Sequence, residues 1–99
     1  MRDHGDRYSL IADGKFFLFN KDDGQLLFEC EIGPPFVHPV LYKNAFIIPQ
    51  GEFLWGSTFI WKSTRIDVPV REITHIYLVD KQLGVLDAHG HKYTFPLPQ

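Results

Sequence analysis

Apolar and polar residues alternate with a period of two along most of this chain. Tyr8 and Leu10, then Phe17 and Phe19, are separated by smaller or polar neighbours, and comparable runs recur at QLLFECEI, NAFIIPQ, EFLWG, TFIWK, RIDV, HIYLV, GVLD and KYTF. Each run is short, rich in β-branched and aromatic residues, and bounded by Gly, Pro, Asn or Asp, the pattern of half-buried strands. No window of about a dozen residues sustains the 3.6-residue period of an amphipathic helix. Glycine and proline recur too densely before Pro69, and β-branched residues dominate after it.

Turn chemistry sharpens this picture. Asp13-Gly14, Asp23-Gly24 and His89-Gly90 each separate two apolar runs, and glycine supplies the positive φ that tight hairpins demand. Three hairpins follow: RYSLI with KFFLF, KFFLF with QLLFECEI through NKDDG, and GVLD with KYTF. Gly33-Pro34-Pro35 ends the third strand, because proline has no amide for a ladder. Pro39 and Pro49 place their strands at an edge or make them start late.

The segment RIDVPVREITHIYL breaks the alternation. Ile66, Val68 and Val70 are two apart, whereas Ile73 and Ile76 are three apart. That change predicts a strand, a single helical turn or tight corner after Pro69, and a second strand, with Ile73 turned into the core and Arg71, Glu72 and His75 displayed outside. The fold expected from these signals is all-β: a small antiparallel barrel or roll of about seven to nine short strands with no long helix.

Length and composition fit one domain over residues 1–99. The 99 residues are 44% hydrophobic, 15% aromatic and 22% charged, enough apolar surface to offset the entropy of ordering. The formal net charge of -2 argues against a nucleic-acid partner held by a basic surface. Residues 1–32 carry seven acids against four bases, and 33–99 carry five against six. Cys30 is the only cysteine, so no intramolecular disulfide can form. The N-terminus lacks the apolar core of a signal peptide, and no stretch reaches the roughly 18 apolar residues of a membrane span. A cytoplasmic location without membrane association is the expectation.

Candidate chemistry is sparse. His89 and His91 flank Gly90, and His75 could approach them, but tetrahedral metal sites need three or four ligands and the tail adds only Asp87. No metal and no cofactor is therefore expected. The carboxylate pairs Asp22-Asp23 and Glu29/Glu31 read as a turn and as alternate positions on the solvent face of a strand, with Cys30 inward. Ser9, Ser57 and Ser63 lack the G-x-S-x-G elbow, Cys30 has no neighbour to lower its pKa, and no phosphate-cradling glycine motif is present. The expectation is a chain with no catalytic residues.

The aromatics of EFLWGSTFIWK carry more. Phe53, Trp55, Phe59 and Trp61 fall at or near alternate positions, and in one register all four share a face. Such a face is a core wall or an exposed strip that marks a partner surface. With Lys62 and Arg65 beside it, this strip is the candidate partner-binding site. The function that follows is a non-catalytic protein-interaction module, of a small inhibitor, immunity or adaptor type, using an aromatic or edge-strand surface. The alternative is a β-barrel that captures a small molecule or nucleotide against the aromatic wall. Self-association through an edge such as HIYLV is a third outcome.

Two resemblances bear on the fold. The run TRIDVPVREITHIYLVDKQLGVLDAHGHKYTF is similar to the second half of PH-like domains of the GRAM and bacterial PH type, where a strand leads through a proline corner into a strand and a closing hairpin. GKFFLFNKDDGQLLFECEI resembles the early strand pair of that family. The resemblance implies a PH-like barrel, which ends in a helix that PLPQ leaves no residues to build. It does not imply lipid-headgroup binding, because the first hairpin loop, IADGK, has Lys15 as its only base. The stretch LFNKDDGQLLFECEIGPPFVHPVLYKNAFIIPQG also resembles one blade of a quinoprotein-type propeller, which again implies a hairpin meander.

Overall fold

A computed structural model describes residues Met1–Gln99, and all of the regular structure in it is antiparallel β. The chain divides into two compact units, Met1–Ile32 and Gly33–Gln99.

The first unit is a four-stranded meander of β1 (Arg2–Asp3), β2 (Arg7–Ala12), β3 (Lys15–Asn20) and β4 (Leu26–Glu31), in that order across the sheet. Asp13 and Gly14 join β2 to β3 with φ of 53° and 72°, the paired left-handed geometry of a type I′ turn. Between β3 and β4, Asn20 Oδ1 accepts from the Asp22 amide and Asp23 Oδ1 from the Gln25 amide, so the side chains of Asn20 and Asp23 organise the turn. Alternation sends Ser9, Phe16 and Leu18 to a buried face. Tyr8, Phe17 and Phe19 take the opposite, half-buried face, with the Tyr8 and Phe19 rings stacked 5.1 Å apart.

The second unit holds two sheets. β5 (Val40–Tyr42), β6 (Ala45–Phe53), β7 (Gly56–Trp61) and β8 (Thr64–Val68) form one meander. β9 (Ile73–Val79), β10 (Gln82–Asp87) and β11 (Lys92–Pro96) form the other, with β10 in the middle. Both sheets feed one core: Tyr42, Ile47, Phe59, Trp61, Ile66 and Val68 from the first meet Ile73, Ile76, Leu83 and Val85 from the second. Each large side chain buried there contributes about 1.5–3 kcal/mol. Trp61 donates its indole N–H to the Tyr42 carbonyl at 2.8 Å, and the Tyr42 hydroxyl donates to the Pro98 carbonyl at 2.9 Å. No buried side-chain nitrogen or oxygen is left without a partner.

Three differences from the sequence expectation have physical causes. There are eleven strands rather than seven to nine. Lys43-Asn44, Lys62-Ser63 and Asp80-Lys81 all adopt positive φ at both positions, making type I′ turns with no glycine to announce them. From Ala45 on, the run NAFIIPQ and the first two residues of EFLWG, Glu52 and Phe53, belong to one strand, β6, whose register shifts between Pro49 and Gly51, so Pro49 sits at a bulge rather than at a strand end. The ladders form three separate sheets and do not close a barrel. Between β8 and β9 the chain makes a corner without helix. Val70 and Ile73 are buried, Glu72 is left-handed at φ 56°, and Ile73 anchors the corner as its spacing indicated.

A Cβ on Gly56 would stand 2.0 Å from the Val68 carbonyl oxygen and 2.9 Å from the Phe53 ring, whereas one on Gly51 would meet nothing within 4 Å. Main chain cannot give way as a flexible side chain can. Gly56→Ala should therefore destabilise the protein by about 2 kcal/mol or more, since forced overpacking is costly. Gly51→Ala should be neutral or stabilising by less than about 1 kcal/mol. Urea unfolding of the two variants checks the contrast.

Candidate functional site

The β6–β7 hairpin ends in two residues that hairpin turns rarely use. Phe53 pairs with Gly56, so Leu54 and Trp55 alone make the loop, and neither adopts positive φ. This turn is thus unlike the type I′ turns elsewhere in the chain, and its residues are neither small nor polar. Phe53, Leu54 and Trp55 are 38%, 68% and 74% exposed. Three consecutive large apolar side chains projected into water are the kind of patch that marks a contact surface.

The base of this tip is tightly held. Gly56 lies where no side chain fits, between the Phe53 ring and the main chain of Val68 and Pro69. The buried Ser57 hydroxyl donates to the Val70 carbonyl at 2.8 Å, and Arg71 Nε approaches Glu52 Oε2 at 3.4 Å. The VREIT corner therefore braces the hairpin. Its residues serve as a mount, and the apolar groups that they support are presented to solvent.

The expected aromatic face divides in two. Phe59 is fully buried and Trp61 is 5% exposed, so both belong to the core and not to a partner surface. The cause is parity: Ser57, Phe59 and Trp61 alternate inward along β7, while Phe53 pairs with Gly56 on the other parity and Trp55 sits in the turn. Lys62 and Arg65 lie at the far end of β7, roughly 20 Å from Trp55 by strand rise. Lys62 Nζ sits 4.9 Å over the Trp61 ring, and Arg65 Nε binds both Asp67 oxygens at 2.9 and 3.0 Å. The hydrogen bond from Thr58 and then Arg65 hold the Asp67 carboxyl below its usual range. Of the six candidate residues, only Phe53 and Trp55 come together on the surface. Leu54, between them, was missed by sequence reasoning that looked for alternation and ring type.

The histidine cluster has a structural organiser. Asp87, buried at the end of β10, accepts the amides of His89 and His91 on Oδ1, each at 2.9 Å, and the Tyr93 hydroxyl on Oδ2 at 3.4 Å. His91 Nδ1 is 3.6 Å from Asp87 Oδ2, and His89 Nε2 is 3.5 Å from Glu72 Oε2. No group of three or more His, Cys, Asp or Glu side chains is placed to hold a metal ion. Cys30 is half-buried, and that burial pushes its thiol pKa up, away from nucleophilic chemistry.

Comparison with protein-family models, curated proteins and solved structures finds no match to this chain. No helix is long and apolar enough to cross a membrane.

Burial raises the Asp87 pKa, but the amides of His91 and His89 and the nearby His91 ring outweigh it, so the carboxyl titrates below its usual value. A depressed folded-state pKa stabilises the protein above the unfolded value and loses that contribution as pH falls through the folded one. Melting temperature should therefore drop on acidification below about pH 4. Asp87→Asn should flatten this part of the profile while lowering stability at neutral pH, as parallel thermal melts would show.

Proposed function

We propose that this chain is a non-catalytic binding module that meets a protein partner through the β6–β7 hairpin tip. The observation that carries this reading is the exposure of Phe53, Leu54 and Trp55 on a base held by Gly56, Ser57 and the Glu52–Arg71 pair. A rigid mount lets an aromatic anchor dock without a large loss of conformational entropy, and tryptophan is the side chain most often found to dominate interface energy.

The surroundings favour a protein over other macromolecules. A stacking platform for single-stranded nucleic acid sets bases beside its rings, and an anionic membrane rewards basic residues next to an inserting tip. Here the one base at the tip, Arg71, is paired with Glu52, and Lys62 and Arg65 stand at the other end of β7. Capture of a small molecule inside the fold fits less well, because Ile47, Phe59, Leu83 and Val85 fill the interior of the second unit.

Affinity capture from the native cell with the parent protein, a Lys62→Ala control and a Leu54→Asp/Trp55→Ala variant tests the proposal. The expected result is one partner recovered equally by the first two and at least about tenfold less by the third, with melting temperatures unchanged. Equal recovery by all three, or a small molecule retained in the native mass spectrum and lost with the tip mutations, would overturn it.

A further inference from the structure

The first unit presents a second surface, independent of the tip. β4 is the last strand of its sheet, hydrogen-bonded only to β3. Leu26, Leu27 and Phe28 are 44%, 44% and 41% exposed, and Glu29 and Glu31 are exposed as well. An edge strand with a free ladder is a template for another strand, which natural proteins ordinarily blunt with charged side chains, proline or a bulge. β4 holds no lysine or proline, its bulge is confined to Leu27, and its charges are the acids Glu29 and Glu31 on the regular part of the strand.

The direction of its main-chain groups can be read from register. The Ile32 amide donates to the Gly14 carbonyl at 2.9 Å, and Phe16 faces Cys30 while Phe17 faces Glu29. In an antiparallel ladder successive residues turn their N–H and C=O alternately toward and away from the partner. Cys30 and Phe28 thus bond to β3, and Glu29 and Glu31 offer theirs at the free edge.

Charge selects the occupant. A second copy pairing antiparallel through those outward groups sets Glu29 opposite Glu29, or Glu29 opposite Glu31, and like charges directly opposed are destabilising. Sliding further lays Glu29 against the bulge at Leu27 and Glu31 against Gln25, where the second copy offers no charge to neutralise either. Lys15 stands opposite Glu31 within the sheet, but Glu29 stands opposite Phe17. An open depression of about 220 Å³ is lined by Lys15, Glu29, Cys30 and Glu31. The unit as a whole holds seven acids against four bases, and two of those bases, Arg7 and Lys21, face Asp6 and Asp3.

We propose that β4 accepts an antiparallel strand from a protein partner, with basic residues opposite Glu31 and Glu29 and an apolar residue beyond them against the bulge at Leu27. Main-chain hydrogen bonds supply the docking and the two glutamates the selection, the division of labour typical of strand addition. The sequence pattern recognised is basic-x-basic-x-apolar in an extended segment.

The test titrates two capped peptides, TKTKTLT and TETETLT, into the full chain while following backbone amide resonances and hydrogen exchange. TKTKTLT should shift the amides of β4 and slow exchange at Glu29 and Glu31, and TETETLT should bind at least about tenfold more weakly. Glu29→Pro removes an outward amide while leaving the bonds to β3 in place, so it should abolish peptide binding with little change in melting temperature. Should that variant unfold, Glu29→Lys/Glu31→Lys replaces it and should reverse the preference between the peptides. Binding by the Leu54→Asp/Trp55→Ala variant should match the parent, which separates this surface from the hairpin tip. Unmoved β4 amides at millimolar TKTKTLT, equal binding of the two peptides, or a mass that doubles with concentration while the peptide is excluded would each overturn the proposal.

Discussion

The second unit hangs on one buried polar chain. Trp61 on β7 gives its indole N–H to the carbonyl of Tyr42 on β5, the two rings lie 5.0 Å apart, and the Tyr42 hydroxyl reaches the carbonyl of Pro98 beyond β11. Tryptophan and tyrosine can be buried this deeply only when their polar ends find partners, and here each satisfies one main-chain oxygen. The link runs from the four-stranded sheet to the tail that follows the three-stranded one. Trp61 fixes which face of β7 looks inward, and with it the parity that leaves Phe53 and Trp55 outside. Lys62 and Lys43, from neighbouring turns, lie over the Trp61 and Tyr42 rings and cover the end of this pair.

From that constraint the functional reading follows. A core that claims Phe59 and Trp61 has no use for Leu54 and Trp55, yet the hairpin holds them out on a base where Gly56 admits no side chain. In the first unit the same economy is absent from β4, whose apolar residues stay in water beside two glutamates. One surface is a rigid aromatic point and the other an open strand edge. They differ in what they would select: shape and apolar area at the tip, main-chain pairing and positive charge at the edge.

Much of the fold was legible in the sequence, because period-two alternation and glycine turns are local signals. The hairpins at Asp13-Gly14, Asp23-Gly24 and His89-Gly90 all form, and Ile73 sits in the core at the corner that its spacing indicated. The turns at Lys43-Asn44, Lys62-Ser63 and Asp80-Lys81 were not legible, since tertiary pairing imposes left-handed backbone on residues that do not advertise it. Half of the aromatic strip was misplaced for a related reason. Alternation says which residues share a face within one strand, but a turn between Phe53 and Gly56 resets the parity, and Gly56 marks a break between EFLWG and TFIWK without placing the turn at Leu54-Trp55.

The division of the two tryptophans is the centre of this account, and fluorescence reads it directly. In the folded parent protein, acrylamide should freely quench one red-shifted emitting population, and Trp55→Phe should remove that population. With Trp55→Phe, the remaining Trp61 should emit at shorter wavelength and resist the quencher. A blue-shifted, protected Trp55 in the free protein would contradict the account, because the tip would then already be covered and could not be the surface that a partner meets.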